Sequence, residues 1–351
     1  MKSKDKIIFS LIALAAFFWL IYLIKSILAP FIISLIITYF LNPLVNHLAM
    51  KYRLSRLTAT SLILGLFFIA LAGVCVVLLP ILYSQFIALI STIPYYAQIV
   101  ANDFYPKIAD KLNQFGFSME SDFSQLMANK EIAAQFTNLS KTIIDDILSS
   151  SVALMNILSL IFIAPILIFY LLKDWNILLN KVQNYMPRTI VNTSDRIFIE
   201  IDRVLSGYVR GQFNVCIVLS LVYAILLSFT GLNFGFLIGF ITGLLAFIPY
   251  VGMLLGAATA IIITLFQWGF DLSHLMFVSL VFVFGNIIES NFLTPKLIGS
   301  KIGIHPVWLI FGLFAFGTLF GFIGILIAVP LTAICGVLVR FFALKYKERF
   351  A

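Results

Sequence analysis

Long apolar stretches without charge constrain this chain more than any other feature of its sequence. The segments 7–24 and 58–83 each contain at least 18 residues and no charged side chain. A helix of that length crosses the hydrocarbon core of a bilayer, which is roughly 30 Å thick. Charged residues make up only 11% of the chain, whereas soluble domains carry about 25%. We therefore predict an all-α polytopic membrane protein.

Eight apolar stretches are candidates for membrane insertion. The six with the length of a single span are 7–24, 27–45, 58–83, 151–172, 213–230 and 271–288. The stretches 234–267 and 307–340 are too long for one upright helix and short for two complete crossings. Each can be a tilted helix, two spans or a re-entrant hairpin. We expect about seven or eight transmembrane helices, two of them broken or re-entrant.

Proline and glycine interrupt both of the longer stretches near the middle. The interruptions read FIPYVG at 247–252 and GFIG at 321–324. Non-helical backbone is tolerated at membrane depth only where protein or a water-filled cavity surrounds it. In transporters, broken apolar segments in the two halves indicate a binding site near the bilayer midplane. The residues that we expect at hairpin tips or helix breaks are Pro249, Tyr250, Gly252, Gly256, Pro295, Pro306, Gly321, Gly324 and Pro330.

Glycine also recurs at every fourth position of the first long stretch, at Gly235, Gly239 and Gly243. Small residues at this interval let two helix backbones approach closely in a bilayer. The pattern is consistent with plain helix packing, and also with surfaces that slide against each other during transport.

The distribution of positive charge predicts the orientation of the chain. With the N-terminus inside, 18 of the 23 lysines and arginines fall in inner segments and 5 in outer segments. This bias follows the positive-inside rule, so both termini are predicted to be cytoplasmic. The stretch 234–267 would then begin and end outside, and 307–340 would begin and end inside. As hairpins, the two would form an inverted pair, the arrangement that alternating access favours.

The chain divides into membrane and polar segments. The predicted parts are N-terminal transmembrane helices 1–83, an extracytoplasmic helical segment 84–150, a span 151–172, a cytoplasmic amphipathic segment 173–212, a C-terminal transport core 213–340 and a cytoplasmic tail 341–351. Both polar segments carry apolar residues at helical spacing. The outer stripe is Ile132, Phe136, Leu139, Ile143 and Ile147, and the inner stripe is Ile197, Ile201, Val204 and Tyr208.

Polar residues appear unexpectedly at the end of an apolar run, in FVFGNIIESNFLTPKL at 282–297. A carboxylate such as Glu289 at a membrane border is costly unless it is paired or hydrated. The topology places Arg210 at the same face, so the two residues can form a structural ion pair. Alternatively, Glu289 carries a proton or cation, with Asn286, Asn291 and Gln212 as neutral ligands or hydrogen-bond donors.

The sequence offers no metal, cofactor or catalytic motif. The three cysteines and three histidines are dispersed, without the spacing of a zinc site. A Walker A sequence is also missing, which argues against an ATP-driven pump, and we do not expect an enzyme. The net charge of +8 is explained by inner loops that face anionic lipid, so no nucleic acid is expected as a partner.

Five ordered motifs resemble the autoinducer-2 exporter family, the AI-2E or PerM-type permeases. They are FYLLKDW at 169–175, GYVRGQ at 207–212, FIPYVGMLLG at 247–256, ESNFLTPKLIGSKIGIHP at 289–306 and GFIGILIAVP at 321–330. The resemblance implies a bacterial inner-membrane protein of seven or eight spans that forms a homo-oligomer. It also implies transport, since members are described as exporters of autoinducer-2 or as sodium/proton antiporters.

Three functions follow from these features. The first is a permease or exporter of a small solute that works by alternating access at the broken helices around 247–256 and 286–330. The second is a monovalent cation/proton antiporter that uses Glu289. The third, from a different class, is a membrane scaffold that transports nothing.

Overall fold

The computed structural model describes residues 28–99, 151–184, 191–298 and 305–350. Regular structure in these ranges is helical throughout, with no strand. Seven helices in the described ranges are long and apolar enough to cross a membrane. The predicted all-α polytopic membrane class is therefore confirmed. The first predicted span, 7–24, and the outer stripe at 132–147 lie outside the described residues.

The helices follow one another along the chain with short connections. In the described residues they are α1 (Leu28–Tyr52), α2 (Arg56–Ile99), α3 (Ser151–Asn184), α4 (Val191–Phe229), α5 (Gly235–Leu245), α6 (Val251–Trp268), α7 (Leu272–Ile288), a π-helix (Glu289–Ile298), α8 (Pro306–Leu326) and α9 (Ala328–Phe350).

Helix α2 extends beyond the predicted membrane border at residue 83 and ends at Ile99. The polar residues of α2 beyond residue 83 do not end the helix. Their hydroxyl groups hydrogen-bond to backbone carbonyls of the preceding turn. Ser84 donates to the Ile81 carbonyl at 2.9 Å, and Thr92 donates to the Ala88 carbonyl at 2.7 Å. Such i−3 and i−4 bonds satisfy the side chain without opening the helix. The start of the predicted segment 84–150 is thus a continuation of α2.

The chain forms two compact units. The first comprises residues 1–67, 158–214 and 291–351, and the second comprises 68–157 and 215–290. Helices α2 and α4 each contribute residues to both.

In the first unit, the inner apolar stripe of α4 packs against α9. Val204 is buried together with Ala333 and Val337, and Ile197 and Ile201 pack against this cluster. The opposite face of α4 carries an exposed ion pair between Glu200 and Arg203 at 3.2 Å. The stripe that the sequence shows in segment 173–212 is therefore a helix-packing surface.

In the second unit, α5 and α6 form a hairpin, which we call the first hairpin (235–268). Helix α5 has 11 residues and is about 16 Å long, too short to cross a bilayer core of about 30 Å. The chain turns between Leu245 and Val251, and α6 packs back against α5. At the tip, Tyr250 adopts a left-handed conformation with φ of 67°, which is rare for a bulky residue.

Two glutamines hold the base of the first hairpin. The Gln85 side-chain oxygen on α2 accepts a hydrogen bond from the Leu237 N–H at 2.9 Å. The Gln267 side chain accepts from the Asn233 N–H at 2.7 Å and donates to the Gly231 carbonyl at 3.0 Å. These bonds satisfy backbone groups that helix ends leave unpaired.

In the first unit, α8 and α9 form the second hairpin (306–350). Helix α8 is broken at Gly321, which has φ of 64° and ψ of −143°. Beyond the break the chain folds back, so that Gly324 lies against the Phe316 carbonyl and Gly312 lies against the Thr332 hydroxyl of α9. Both long stretches of the sequence are therefore interrupted helical hairpins.

Candidate functional site

Helix geometry changes at the polar stretch that follows α7. The N–H of Glu289 donates to the carbonyls of both Gly285 and Asn286, and a ten-residue π-helix begins there. The Ser290 hydroxyl donates to the Asn286 carbonyl at 2.7 Å. π-Helical geometry is rare and occurs mostly as single turns, frequently at functional sites. A ten-residue π-helix that starts at a carboxylate is the strongest backbone indication of a functional site in the described chain.

Tyr223 of α4 lies beside this junction in the second unit. Its side chain is 1% exposed, and its ring stacks on Phe282 with centroids 5.4 Å apart. A methyl group on Gly285 would lie 2.5 Å from the Tyr223 hydroxyl oxygen. Glu289 follows Gly285 by four residues on the same helix face and interacts electrostatically with Tyr223. In the described part of the chain, the Tyr223 hydroxyl has no hydrogen-bond partner.

Asn286 connects α7 to the first hairpin. Its amide nitrogen donates to the sulfur of Met253 at 3.1 Å, three residues beyond the tip residue Tyr250. A thioether is a weak acceptor, so a carbonyl or hydroxyl of a solute would be a better partner for this amide.

The second unit is poor in charge. Its described residues contain no lysine or arginine, and their only carboxylates are Asp271 and Glu289. Asp271 lies at the opposite end of α7, where it accepts from the Ser273 N–H at 2.9 Å and pairs with His274 at 2.6 Å. Within the described second unit, Glu289 therefore has no basic residue to neutralise it.

Arg210 lies in the first unit and is held by α1. Its Nε donates to the Tyr39 carbonyl at 3.0 Å, and the Tyr39 hydroxyl hydrogen-bonds to the Asp202 side chain. Arg210 thus belongs to a cluster that joins α1 and α4. Because Glu289 belongs to the other unit, the expected ion pair between Arg210 and Glu289 stays a prediction.

The neighbours of Arg210 pack closely. Gln212 is buried, with 5% of its surface exposed. A methyl group on Gly211 would lie 2.6 Å from the Leu297 carbonyl oxygen at the end of the π-helix, so the GYVRGQ motif and the ESNFLTPKL motif are in contact within the first unit. Asn291 is exposed on the π-helix. A common site that contains Gln212, Asn291 and Glu289 also stays a prediction.

The residues expected at hairpin tips or breaks fall into two groups. Those at helix ends or breaks are Pro249, Tyr250, Pro306 and Gly321. Those inside helices are Gly252, Gly256, Pro295, Gly324 and Pro330.

The sequence analysis missed a polar cluster around Arg56. The Arg56 guanidinium donates to the Asn42 and Asn46 side chains at 2.9 and 3.0 Å and to the Leu172 carbonyl at 2.8 Å. It therefore joins the start of α2 to α1 and α3 in the first unit. The signal was available, because Asn42 and Asn46 are four residues apart within an apolar stretch and must share one face.

The cavities of the second unit are apolar. A groove of about 960 Å³ lies between α2 and α5, and its lining includes Val76, Leu79 and Phe240. A smaller one of about 610 Å³ lies between α4 and α7, with His274 and Thr230 as its polar residues. Both grooves offer a polar solute few hydrogen bonds, from Tyr83 in the first and from His274 and Thr230 in the second. Among the described residues, no group of three His, Cys, Asp or Glu side chains could hold a metal ion.

The family comparison gives this arrangement of broken hairpins and long apolar helices its context. The model of the AI-2E family of transporters matches residues 8–343. The chain belongs to this family. The resemblance carried by the five motifs is thereby confirmed, and this AI-2E transporter is a multi-pass membrane permease of a small solute.

Relatives of this AI-2E transporter match it over most of their length. YrrI of Bacillus subtilis, provisionally named as a transport protein, is 28% identical over 93% of this chain and 88% of its own. PerM of Escherichia coli K12, provisionally named as a permease, is 26% identical over 95% and 92%. The AI-2 transport protein TqsA of Escherichia coli K12 is 27% identical over 88% and 84%.

Proposed function

We propose that this AI-2E transporter exports a small, polar, uncharged solute across the bacterial inner membrane by alternating access. The observation that carries the proposal is the pair of interrupted hairpins. A protein that only anchors partners has no need for helix breaks inside apolar segments, whereas transporters use them to build sites that open to either side.

The first hairpin is built to move as a unit. Its short helix α5 contacts α4 through glycines, so few interdigitating side chains have to be displaced when the two helices slide. A methyl group on Gly235 would lie 2.7 Å from the Leu227 carbonyl oxygen. The charge distribution of the sequence supports entry of this hairpin from outside and of the second hairpin from inside, the arrangement expected for alternating access.

The solute class follows from the available polar groups. The Asn286 amide and the Tyr250 hydroxyl, both in the second unit, can hydrogen-bond a neutral molecule that carries hydroxyl and carbonyl groups. The name of TqsA makes autoinducer-2 the first solute to test. We assign to Glu289 the uptake and release of a proton during the cycle, because intramembrane carboxyls commonly have that role.

A matched pair of glycines tests the role of the hairpin tip. Gly321 has φ and ψ of 64° and −143°, and Gly269, in the turn between α6 and α7, has 68° and −148°. A methyl group at either position would meet no atom within 4 Å. Alanine at either site therefore carries the same backbone cost, about 1–3 kcal/mol, but only Gly321 is at a hairpin tip.

The experiment measures efflux of labelled autoinducer-2 from proteoliposomes that contain equal amounts of folded protein. We expect Gly321→Ala to lower the initial rate by about tenfold, which corresponds to about 1.4 kcal/mol in an activation barrier. Gly269→Ala should retain the wild-type rate. Equal rates in all three proteins would contradict a role for the second hairpin, and no efflux from the wild type would exclude this solute.

A further inference from the structure

The Tyr223 hydroxyl is a buried polar group that nothing in the established family role explains. It is fully enclosed and unpartnered in the described part of the chain. A buried hydroxyl without a hydrogen bond is unfavourable, and phenylalanine would fill the same space without that cost. The cost is removed if the hydroxyl gains a hydrogen-bond partner in another state of the protein.

Of the two carboxylates among the described residues of the second unit, Glu289 is the one at this end of α7. Gly285 lies directly against the hydroxyl, because it has no side chain that would hold Tyr223 away from α7. Glu289 lies on the next turn of α7, on the same face, and interacts electrostatically with Tyr223. The other titratable groups on α6 and α7 are distant along the helices, since Asp271 and His274 lie at the far end of α7. Tyr250, at the tip of the first hairpin, is exposed.

We propose that Tyr223 is the positioning residue of Glu289, donating a hydrogen bond from its hydroxyl to the Glu289 carboxylate in one state of the transport cycle. In the state described, the Tyr223 hydroxyl has no hydrogen-bond partner among the described residues. The bond forms when the Glu289 side chain rotates toward α4, at the junction where α7 becomes a π-helix. Tyr223 thereby stabilises the deprotonated carboxylate in a unit whose described residues contain no lysine or arginine. The proposal rests on the assignment of proton exchange to Glu289.

Transport kinetics test the coupling between the two residues. A hydrogen bond to a charged group is strong enough that its removal changes a rate tenfold or more. We expect Tyr223→Phe to lower the maximal efflux rate about tenfold with KM unchanged, and to have no further effect when combined with Glu289→Gln. Tyr96→Phe is the matched control, because it removes a buried tyrosine hydroxyl from the same unit, on α2 and not beside Gly285. Additive effects of Tyr223→Phe and Glu289→Gln would overturn the proposal.

A second measurement does not depend on knowing the solute. Dicyclohexylcarbodiimide, an apolar reagent, modifies protonated carboxyl groups, and mass spectrometry of the intact purified protein locates the product. We expect Glu289 to react about threefold faster at pH 7 in Tyr223→Phe than in the wild type, since loss of a charge-assisted hydrogen bond disfavours the unreactive carboxylate. Tyr96→Phe should react at the wild-type rate.

The two measurements separate the two proposals. Faster labelling in Tyr223→Phe without efflux from the wild type would support the Tyr223–Glu289 interaction and reject the assigned solute. Equal labelling rates in the wild type and Tyr223→Phe would overturn the interaction, whatever the efflux shows.

Discussion

Gly239 of α5 lies directly against the backbone of Tyr223 in α4. A methyl group on Gly239 would come within 3.0 Å of the Tyr223 carbonyl carbon and the Ala224 nitrogen, and neither of these backbone atoms can turn aside as a side chain could. The contact positions α5 against the same residue whose hydroxyl faces the Glu289 junction. Packing of the first hairpin and geometry of the candidate site are therefore linked through Tyr223.

Gly239→Ala should weaken the docking of α5. The added methyl group has no space, so α5 must move away from α4, and overpacking of this kind costs about 1–3 kcal/mol. The measurement is thermal unfolding of the purified protein in detergent. Gly73→Ala in α2 is the control, because a methyl group there meets nothing within 4 Å, and we expect no loss of stability and a gain of at most about 1 kcal/mol, since alanine has the higher helix propensity. Equal unfolding temperatures of the two variants would contradict the close contact.

Arg56→Lys should destabilise the first unit although it retains the positive charge. An ammonium group cannot match the planar fork of the guanidinium, so the oxygens of Asn42, Asn46 and Leu172 would lose donors. We expect a loss of about 1–3 kcal/mol in the free energy of unfolding, measured by denaturant or heat. Arg203→Lys is the comparison, since the exposed pair with Glu200 contributes at most about 1 kcal/mol. A smaller loss for Arg56→Lys than for Arg203→Lys would show that the cluster is not an anchor.

Asp271, in the turn between α6 and α7, should make the stability of the protein depend on pH in the acid range. Its side-chain hydrogen bond to His274, together with the bond from the Ser273 N–H, lowers the pKa of the Asp271 carboxyl below its ordinary value of 3.8. A carboxyl with a lowered pKa in the folded state contributes stability above the unfolded-state value. That contribution is lost as the pH falls through the folded-state value.

Unfolding temperatures between pH 2 and pH 5, roughly the window around the ordinary aspartate value, check this dependence. Asp271→Asn retains an N-cap acceptor but cannot titrate, so its unfolding temperature should fall less on acidification than that of the wild type. Parallel curves for the two proteins would rule out a stabilising role for the ionised Asp271.

Tyr250→Gly, at the tip of the first hairpin, should raise the stability of the fold and lower the efflux rate. The left-handed conformation of Tyr250 costs about 1–2 kcal/mol for a residue with a Cβ atom, so glycine should stabilise the fold by up to about 1 kcal/mol. We expect efflux to fall about tenfold at the same time, because the phenol is proposed to hydrogen-bond the solute. Arg53→Gly, at a second exposed left-handed residue, should stabilise similarly and leave efflux unchanged. Wild-type efflux in Tyr250→Gly would exclude a contact with the solute.

Much of this architecture could be predicted because it depends on local properties. Apolar length alone separates membrane helices from soluble ones, since a bilayer forces every backbone group of a span into internal hydrogen bonds. Pro249 and Gly321 indicated the two interruptions for the same reason, because proline and glycine disfavour a continuing helix. The stripe at 197–208 was visible because a helix repeats its buried face every three to four residues.

Other features required the tertiary structure. The extension of α2 to Ile99, past the polar residues Ser84 and Thr92, is not revealed by composition. The π-helix that begins at Glu289 depends on a change of hydrogen-bond register with no known composition signal. The close contact of Gly285 with Tyr223 depends on which helix faces which.

The sequence by itself determined the helical membrane class, the family and the positions of the two breaks, because the bilayer and the backbone impose these within a few turns of helix. Only the tertiary structure decided that Arg56 meets Asn42 and Asn46, that Gly239 meets Tyr223, and that the Tyr223 hydroxyl lies against Gly285. The reason is that helices in a bilayer associate through close packing and individual hydrogen bonds. Those contacts join residues far apart in the chain, where neither periodicity nor composition carries a signal.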